Sequence, residues 1–231
     1  MSQEGGNGFM SIDGPFMRVM ELVINLFLLN IFVIICSVPV ITIGASFTAL
    51  HHQLQRMSRN EDGYVVRDFF KDFASNFKVS TFTWLILLPV GVFLGIDLKI
   101  FSDGVSFPGA YKWLIIAFAV IYLMGLVYVF PVLARYETTP KLAIKNAYAM
   151  SLFALPKTII MIVLFVLPWV GAMYIANFIL ACFLFGISFP AYINVFLYKK
   201  TFETFEKKQK EAFKGTPEED ITESENHEDE H

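Results

Sequence analysis

Long apolar stretches alternate along this chain with shorter segments that hold most of its charge. Residues 22–50, 79–96, 113–134 and 158–198 contain no Asp, Glu, Lys or Arg. A helix needs about 20 consecutive apolar residues to cross the hydrocarbon core of a bilayer. A water-soluble fold of this length has too few polar side chains to cover so much apolar surface. The pattern therefore predicts an integral membrane protein.

The predicted fold is all-α, a polytopic transmembrane helical bundle over residues 15–200 with five or six membrane segments. The segments are predicted at about 16–36, 40–54, 80–98, 112–134, 157–174 and 177–198. Pro15 suits the first position of a helix, and Pro39 separates the first two segments because it disfavours helix in the residue before it. The segment 40–54 is short for a full crossing. It is either the second arm of a hairpin or a re-entrant piece.

A polar stretch after the second segment has the periodicity of an amphipathic helix, predicted at 64–78. Four phenylalanines recur there at helical spacing, and charged residues occupy the opposite face. We expect this helix to lie on the membrane surface or to dock under the bundle. Its candidate docking residues are Phe69, Phe70, Phe73, Phe77, Arg67 and Lys71.

Lysine and arginine are distributed unevenly among the connecting segments. Residues 55–80 contain five, residues 135–157 contain four and residues 199–214 contain six, whereas 97–112 contain two and 171–177 none. Since basic loops stay in the cytoplasm, the three rich segments and the C-terminus are predicted to be cytoplasmic. The side of the N-terminus depends on whether 40–54 crosses.

Three asparagines, Asn25, Asn30 and Asn194, are candidate intramembrane polar residues. Polar groups in a membrane are costly and often functional. They also stabilise helix packing through interhelical hydrogen bonds, which is the interpretation we favour. No charged residue lies in the middle of a predicted span, which counts against a proton- or ion-coupled pump.

Prolines at 89, 131, 168 and 190 lie within apolar stretches and predict kinked helices. Either static packing or gating accounts for such kinks, and packing is favoured. The match between Leu87–Gly91 and Val166–Gly171, each containing Leu-Pro, is also compatible with an internal repeat. Chance similarity between apolar stretches explains it equally well.

The chemistry-bearing residues give no catalytic pattern. The sequence contains no phosphate-binding glycine loop, serine-hydrolase elbow or zinc-protease motif. His51 and His52 are adjacent and point about 100° apart on a helix, so they are a poor chelating pair. Cys36 and Cys182 lie in apolar stretches, where buried thiols are inert. We therefore predict no enzyme activity, no metal and no cofactor, and the net charge of −3 argues against nucleic acid as a partner.

The two ends of the chain are polar. Residues 1–14 lack the basic and apolar regions of a cleavable signal, so they are predicted to be a flexible N-terminus before a permanent anchor. Residues 201–231 form a predicted cytoplasmic charged tail. After residue 215 the tail is strongly acidic and is predicted to be disordered.

The first third of the chain resembles a known family. Ser37-Val38-Pro39 leads into Ile43-Gly44-Ala45, and Asp62-Gly63-Tyr64 leads into the Phe-rich helix. This order of a break, a small-residue helix and a Phe-rich helix is similar to the YesL family of bacterial membrane proteins. The resemblance is strongest from about Gly14 to Ser80. It implies a multi-pass protein of the bacterial plasma membrane whose relatives are commonly encoded beside carbohydrate ABC importers, and it implies no activity or catalytic residues.

A second segment adds to the interpretation. Residues 140–155 begin and end with proline-containing pairs and faintly resemble the cytoplasmic coupling loop of ABC-importer permeases, although Ala143 replaces its glycine. The resulting hypothesis is an accessory or regulatory component of carbohydrate (oligosaccharide) ABC import, with importer subunits and the lipid bilayer as partners. The alternative is a small stand-alone transporter or channel.

Overall fold

The computed structural model describes residues 15–61, 63–103, 109–174 and 178–214. All regular secondary structure in these ranges is helical, which confirms the all-α prediction. The helices are α1 (Pro15–Ser37), a 3₁₀ turn (Val40–Thr42), α2 (Ile43–Met57), α3 (Val65–Ser102), α4 (Gly109–Arg135), α5 (Pro140–Phe153), α6 (Leu155–Tyr174), α7 (Phe178–Phe185) and α8 (Ser188–Lys214). The predicted flexible N-terminus and acidic tail, and position 177 of the last predicted segment, lie outside the described residues.

Four of the described helices are long and apolar enough to cross a membrane. They are Phe16–Ser37, Val65–Phe101, Tyr111–Arg135 and Leu155–Tyr174. Pro89, Pro131 and Pro168 lie inside three of these helices without ending them. Large apolar side chains such as Phe93, Phe118 and Leu167 are exposed on the outside of the bundle, which is the arrangement that lipid requires. The protein is a helical membrane bundle.

The longest helix, α3, joins two elements that the sequence pattern separates. It has 38 residues and is therefore about 57 Å long, whereas the hydrocarbon core is about 30 Å thick. The predicted surface helix 64–78 and the predicted span 80–98 are its two halves. No glycine or proline lies between Val65 and Leu88, so nothing in the local sequence ends the helix where its character changes.

The remaining predicted crossings correspond to shorter elements. The segment 40–54 falls on the 3₁₀ turn and on α2, which has 15 residues. The segment 177–198 contains α7, with eight residues, and the start of α8. A two-residue turn at Gly186 and Ile187 separates these two helices.

Helix α2 packs along the first half of α3 in the opposite direction. Gly44 at its start lies against Ser80 and Trp84, and Gln53 near its end meets Asp72. A Cβ on Gly44 would clash with the Ser80 carbonyl oxygen, so only glycine permits this approach. The indole Nε1 of Trp84 also donates to the Val40 carbonyl at 2.8 Å. These contacts fix the register of the two helices.

The core lies where α1, α2, α4 and α8 meet the first half of α3. Its largest fully buried side chains include Tyr128, Tyr198, Phe69 and Phe202. Phe202 lies beyond the apolar part of α8 and stacks edge-on against Tyr198, with ring centroids 5.3 Å apart. The core therefore extends beyond the apolar stretches into the region that holds the basic segments.

Candidate functional site

The three basic segments of the sequence meet at one end of the bundle. This end, which we term the charged end, contains the end of α2, the start of α3, the end of α4, α5 and the second half of α8. Arg56 of α2 faces Asp68 of α3 at 3.5 Å, and Arg135 of α4 faces Glu206 of α8 at 2.9 Å. At the opposite end, α3 and α4 are close, with the Phe101 and Tyr111 ring centroids 6.1 Å apart. The charged end is the candidate functional site because polar side chains from three segments that are far apart in the sequence meet there.

Asp72 is the centre of the first polar cluster. Its side chain is 5% exposed, and a buried carboxylate needs hydrogen bonds or a cation. Gln53 donates to its Oδ2 at 2.6 Å, and His52 Nδ1 lies 2.9 Å from the same oxygen. Arg56 lies 3.7 Å from Oδ1. The cluster joins α2 to α3 at the charged end and accounts for the polar residues that end α2.

A second polar cluster joins the end of α4 to α8. Glu206 accepts hydrogen bonds from Arg135 Nε at 2.9 Å and from the Tyr136 hydroxyl. Although partial burial acts to raise it, the pKa of Glu206 lies below its usual value because of these two bonds. Burial, with the Glu206 carboxylate beside it, raises the pKa of the Tyr136 hydroxyl, which therefore remains a donor. Arg135 also lies 5.2 Å from the Phe202 ring centroid.

A polar cavity of about 470 Å³ lies between the two clusters. Its walls come from α2, the first half of α3, the end of α4 and the segment that follows α4. The lining residues are His52, Asp72, Ser75, Asn76, Val79, Leu133, Ala134, Arg135, Tyr136, Glu137 and Thr138. The cavity brings both signs of charge together with hydroxyl and amide groups, so it can bind polar groups in general and selects no single chemistry.

The predicted docking residues of α3 divide between two faces. Phe69 is fully buried in the core, and Phe73 is half-buried against it. Phe70 and Phe77 are 46% and 36% exposed. Arg67 and Lys71 are exposed as well. Phe69 and Phe73 thus attach α3 to its own bundle. The Phe70 ring also lies 5.4 Å from the Phe32 ring of α1, so its exposed part, with Phe77, Arg67 and Lys71, is what a partner could contact.

The exposed face of α3 is basic and aromatic because its acidic residues turn inward. Asp68 and Asp72 face Arg56 and His52 on α2. They are four positions apart and therefore share one side of the helix. The outer side of the helix carries two phenylalanine rings and three cations. None of these cations forms an ion pair with another described residue. This outer face, which we term the α3 face, consists of Arg67, Phe70, Lys71, Phe77 and Lys78.

Helix α5 adds a second exposed surface beside the charged end. It begins with Pro140 at its first position and ends at Phe153. Ala143 and Ala147 are fully buried and let α5 pack closely on the bundle. Its outer side shows Leu142, Leu152 and Phe153 together with Lys141 and Lys145. The small residue at 143 therefore has a packing role in this chain.

Both polar atoms of the Asn30 amide group form hydrogen bonds where α7 meets α8. Its Nδ2 donates to the Phe183 carbonyl at 2.7 Å. Its Oδ1 accepts from the backbone N–H groups of Ile187 and Ser188, both at 3.0 Å. These groups lie in the last turn of α7, in the connecting turn and at the first residue of α8, where backbone groups lack helical partners. Since lipid offers no hydrogen bonds, Asn30 stabilises that turn.

The other two asparagines have different surroundings. Asn25 is half-buried on α1. Asn194 is 4% exposed, and its Nδ2 donates to the Met161 carbonyl of α6 at 3.3 Å. Its Oδ1 is buried and has no hydrogen-bond partner among the described residues. The structure therefore places Asn30 and Asn194 in separate interhelical contacts.

The two histidines point in different directions, as adjacent residues on a helix must. His51 faces Tyr198 of α8, with Nδ1 3.3 Å from the hydroxyl oxygen, and His52 faces Asp72. No group of three or more His, Cys, Asp or Glu side chains that could bind a metal forms among the residues that the structure describes.

Sequence reasoning missed the two polar clusters. A signal for the first cluster was present in the sequence. Asp68 and Asp72 are four positions apart, so they share one side of the helix, and Arg67, Phe70 and Lys71 lie on a different side. No local signal pairs Arg135 with Glu206, because 71 positions separate them and only the packing of α8 on α4 brings them together.

Comparison with known proteins adds one partial match. Residues 23–98 are similar to the family described as "Protein of unknown function, DUF624". The match runs from α1 to the second half of α3, so it includes the Asp72 cluster and the α3 face but not α4 to α8. No curated protein and no solved structure matches the chain. The family description names no activity, and the site must be interpreted from its own geometry.

Proposed function

We propose that this protein is an accessory or regulatory membrane protein that docks on a membrane partner through its charged end and catalyses no reaction itself. The α3 face is the observation that carries the proposal. It holds Arg67, Lys71 and Lys78 beside Phe70 and Phe77, with the neighbouring carboxylates turned into the bundle. Aromatic residues and arginine are enriched in protein–protein interfaces, and both residue types are present on this face.

The proposed partner is a carbohydrate (oligosaccharide) ABC importer of the bacterial plasma membrane. The support for this choice is the resemblance of the first third of the chain to the YesL family, whose members are commonly encoded beside such importers. The α3 face and the outer side of α5 lie at the same charged end. If this end is cytoplasmic, both surfaces are on the side where importer permeases contact their ATPases.

Co-purification tests the docking surface. The full chain, carrying an affinity tag and produced together with importer permease and ATPase subunits, is extracted in a mild detergent. Recovery of importer subunits with the tagged chain is the expected result. The double variant Arg67→Glu/Lys71→Glu reverses two charges of the α3 face and should reduce recovery at least tenfold.

A matched control reverses two exposed cations at the opposite end. Lys99→Glu/Lys112→Glu makes the same charge change away from the charged end and should leave recovery unchanged. Equal loss in the two double variants would show a general charge effect. Failure to recover any importer subunit with the unaltered chain would contradict the choice of partner.

The alternative function is a small stand-alone transporter or channel. It needs a water-accessible path along Asn25, Asn30 and Asn194. Asn30 is fully buried, and its amide is occupied by three backbone groups of the turn between α7 and α8. These bonds favour a role in packing, so the accessory function is the better supported of the two.

A further inference from the structure

An apolar cavity separate from the charged end lies between α2, α4, α6 and α8. Its volume is about 160 Å³. This compares with the engineered cavity of about 150 Å³ that binds benzene, so it has room for the end of a small organic chain. Its lining is mostly apolar and includes Phe47, Phe130, Phe165 and Trp84 of α3, together with His51 and Asn194.

The outer wall of the cavity consists of apolar side chains on two membrane-spanning helices. Leu123, Leu126 and Val127 of α4 and Ile162 of α6 are half-buried, and Val166 is 39% exposed. Both α4 and α6 are long and apolar enough to cross the bilayer. The accessible side of the cavity therefore faces lipid, and a ligand must enter from the membrane.

The inner wall has two polar side chains. Asn194 is 4% exposed and His51 is 8% exposed. The Asn194 Oδ1 is an acceptor without a donor in the described chain. His51 contacts the Tyr198 hydroxyl through Nδ1. In the tautomer in which Tyr198 donates, the proton is on Nε2, so His51 keeps a second ring nitrogen as a donor. An acceptor and a donor thus lie on the wall of an otherwise apolar cavity.

We infer that this cavity binds a membrane-dissolved long-chain alcohol, with its uncharged hydroxyl directed at Asn194 and His51 and its chain extending between α4 and α6 into the bilayer. A hydroxyl satisfies both polar groups at once, because it donates to Oδ1 and accepts from Nε2. A charged head group is excluded because no charged side chain lines the cavity, and an unpaired buried charge is costly. The inference is independent of the proposed function.

Photolabelling in lipid nanodiscs tests the inference. The probe is a twelve-carbon alcohol with a diazirine in the middle of its chain, and the labelled peptides are located by mass spectrometry. Labels are expected on the cavity-facing parts of α4 and α6. Unlabelled dodecanol should compete at least tenfold better than dodecane or dodecyl phosphate. Equal competition by dodecane or by the phosphate would overturn the assigned ligand.

Three variants separate the cavity from the general lipid surface. Val166→Trp places an indole at the mouth of the cavity and should abolish the competed label. Val163→Trp makes the same change on the outer side of α6, at a residue that is 53% exposed and does not line the cavity, and should leave it intact. Asn194→Leu should weaken competition by dodecanol about five- to tenfold, as expected for one hydrogen bond. Equal labelling of the two tryptophan variants would contradict the proposal.

Discussion

At the scale of single residues, the contacts of Asn30 explain why the apolar helix α1 contains a buried polar side chain. Three backbone groups at the turn between α7 and α8 have Asn30 as their partner. A membrane interior cannot supply substitutes. The sequence allows either a functional or a packing role for Asn30 and favours packing, and its three hydrogen bonds are those of a structural side chain.

Replacing Asn30 with leucine is therefore expected to lower the free energy of unfolding by about 2–4 kcal/mol, since it leaves buried backbone groups unpaired. Denaturation in mixed micelles measures this loss. Asn25→Leu is the matched control, because Asn25 is only half-buried and makes no hydrogen bond to another described residue; it should change stability by less than about 1 kcal/mol. If the two variants were equally stable, the assigned role of Asn30 would be wrong.

At the scale of elements, glycine decides how closely two helices pack. Gly44 lets α2 lie directly against Ser80 and Trp84 of α3. Gly95, farther along α3, has no atom within 4 Å of its would-be Cβ among the described residues. Gly44→Ala should destabilise the protein by about 1–3 kcal/mol through overpacking.

The control, Gly95→Ala, should be neutral or slightly stabilising, because alanine favours helix over glycine. Melting temperatures of the two purified variants against the unaltered chain provide the measurement. A stable Gly44→Ala variant would mean that α2 and α3 are farther apart than their contacts indicate.

The sequence pattern predicted the helices themselves more accurately than the residues at which they begin and end. Apolar runs identify what lipid can cover, so α1, α4 and α6 fall close to their predicted segments. The continuity of α3 was missed because hydropathy changes at about residue 79 while backbone propensity does not. The break before Ser188 was missed because the uncharged run 158–198 continues through it, and the compensating group, Asn30, lies 158 positions away.

The candidate site was predicted only in part. The periodicity of residues 66–78 located the amphipathic helix, but it could not tell which phenylalanines face the bundle. Phe69 is buried because α1 and α2 pack over it, with the Phe32 ring 5.6 Å away. Such contacts depend on tertiary packing, which a helical wheel does not contain.

At the scale of the whole molecule, the fold concentrates basic residues at one end. The segments 55–80, 135–157 and 199–214 are far apart in sequence, yet ion pairs between α2 and α3 and between α4 and α8 bring their charged parts together. The end of α3 and the start of α4 lie at the other end. A membrane protein with this asymmetry is expected to keep its basic end in the cytoplasm.

Cysteine accessibility tests that orientation. In a chain whose Cys36 and Cys182 are replaced by alanine, single cysteines are placed at three exposed positions: Arg67, Lys207 and Lys112. A membrane-impermeant maleimide should label Lys112→Cys in intact spheroplasts, because Lys112 lies at the start of α4, away from the charged end. Arg67→Cys and Lys207→Cys should react only after lysis. The reverse pattern would place the α3 face outside the cell, where it could not reach a cytoplasmic partner, and both the orientation and the proposed docking would fail together.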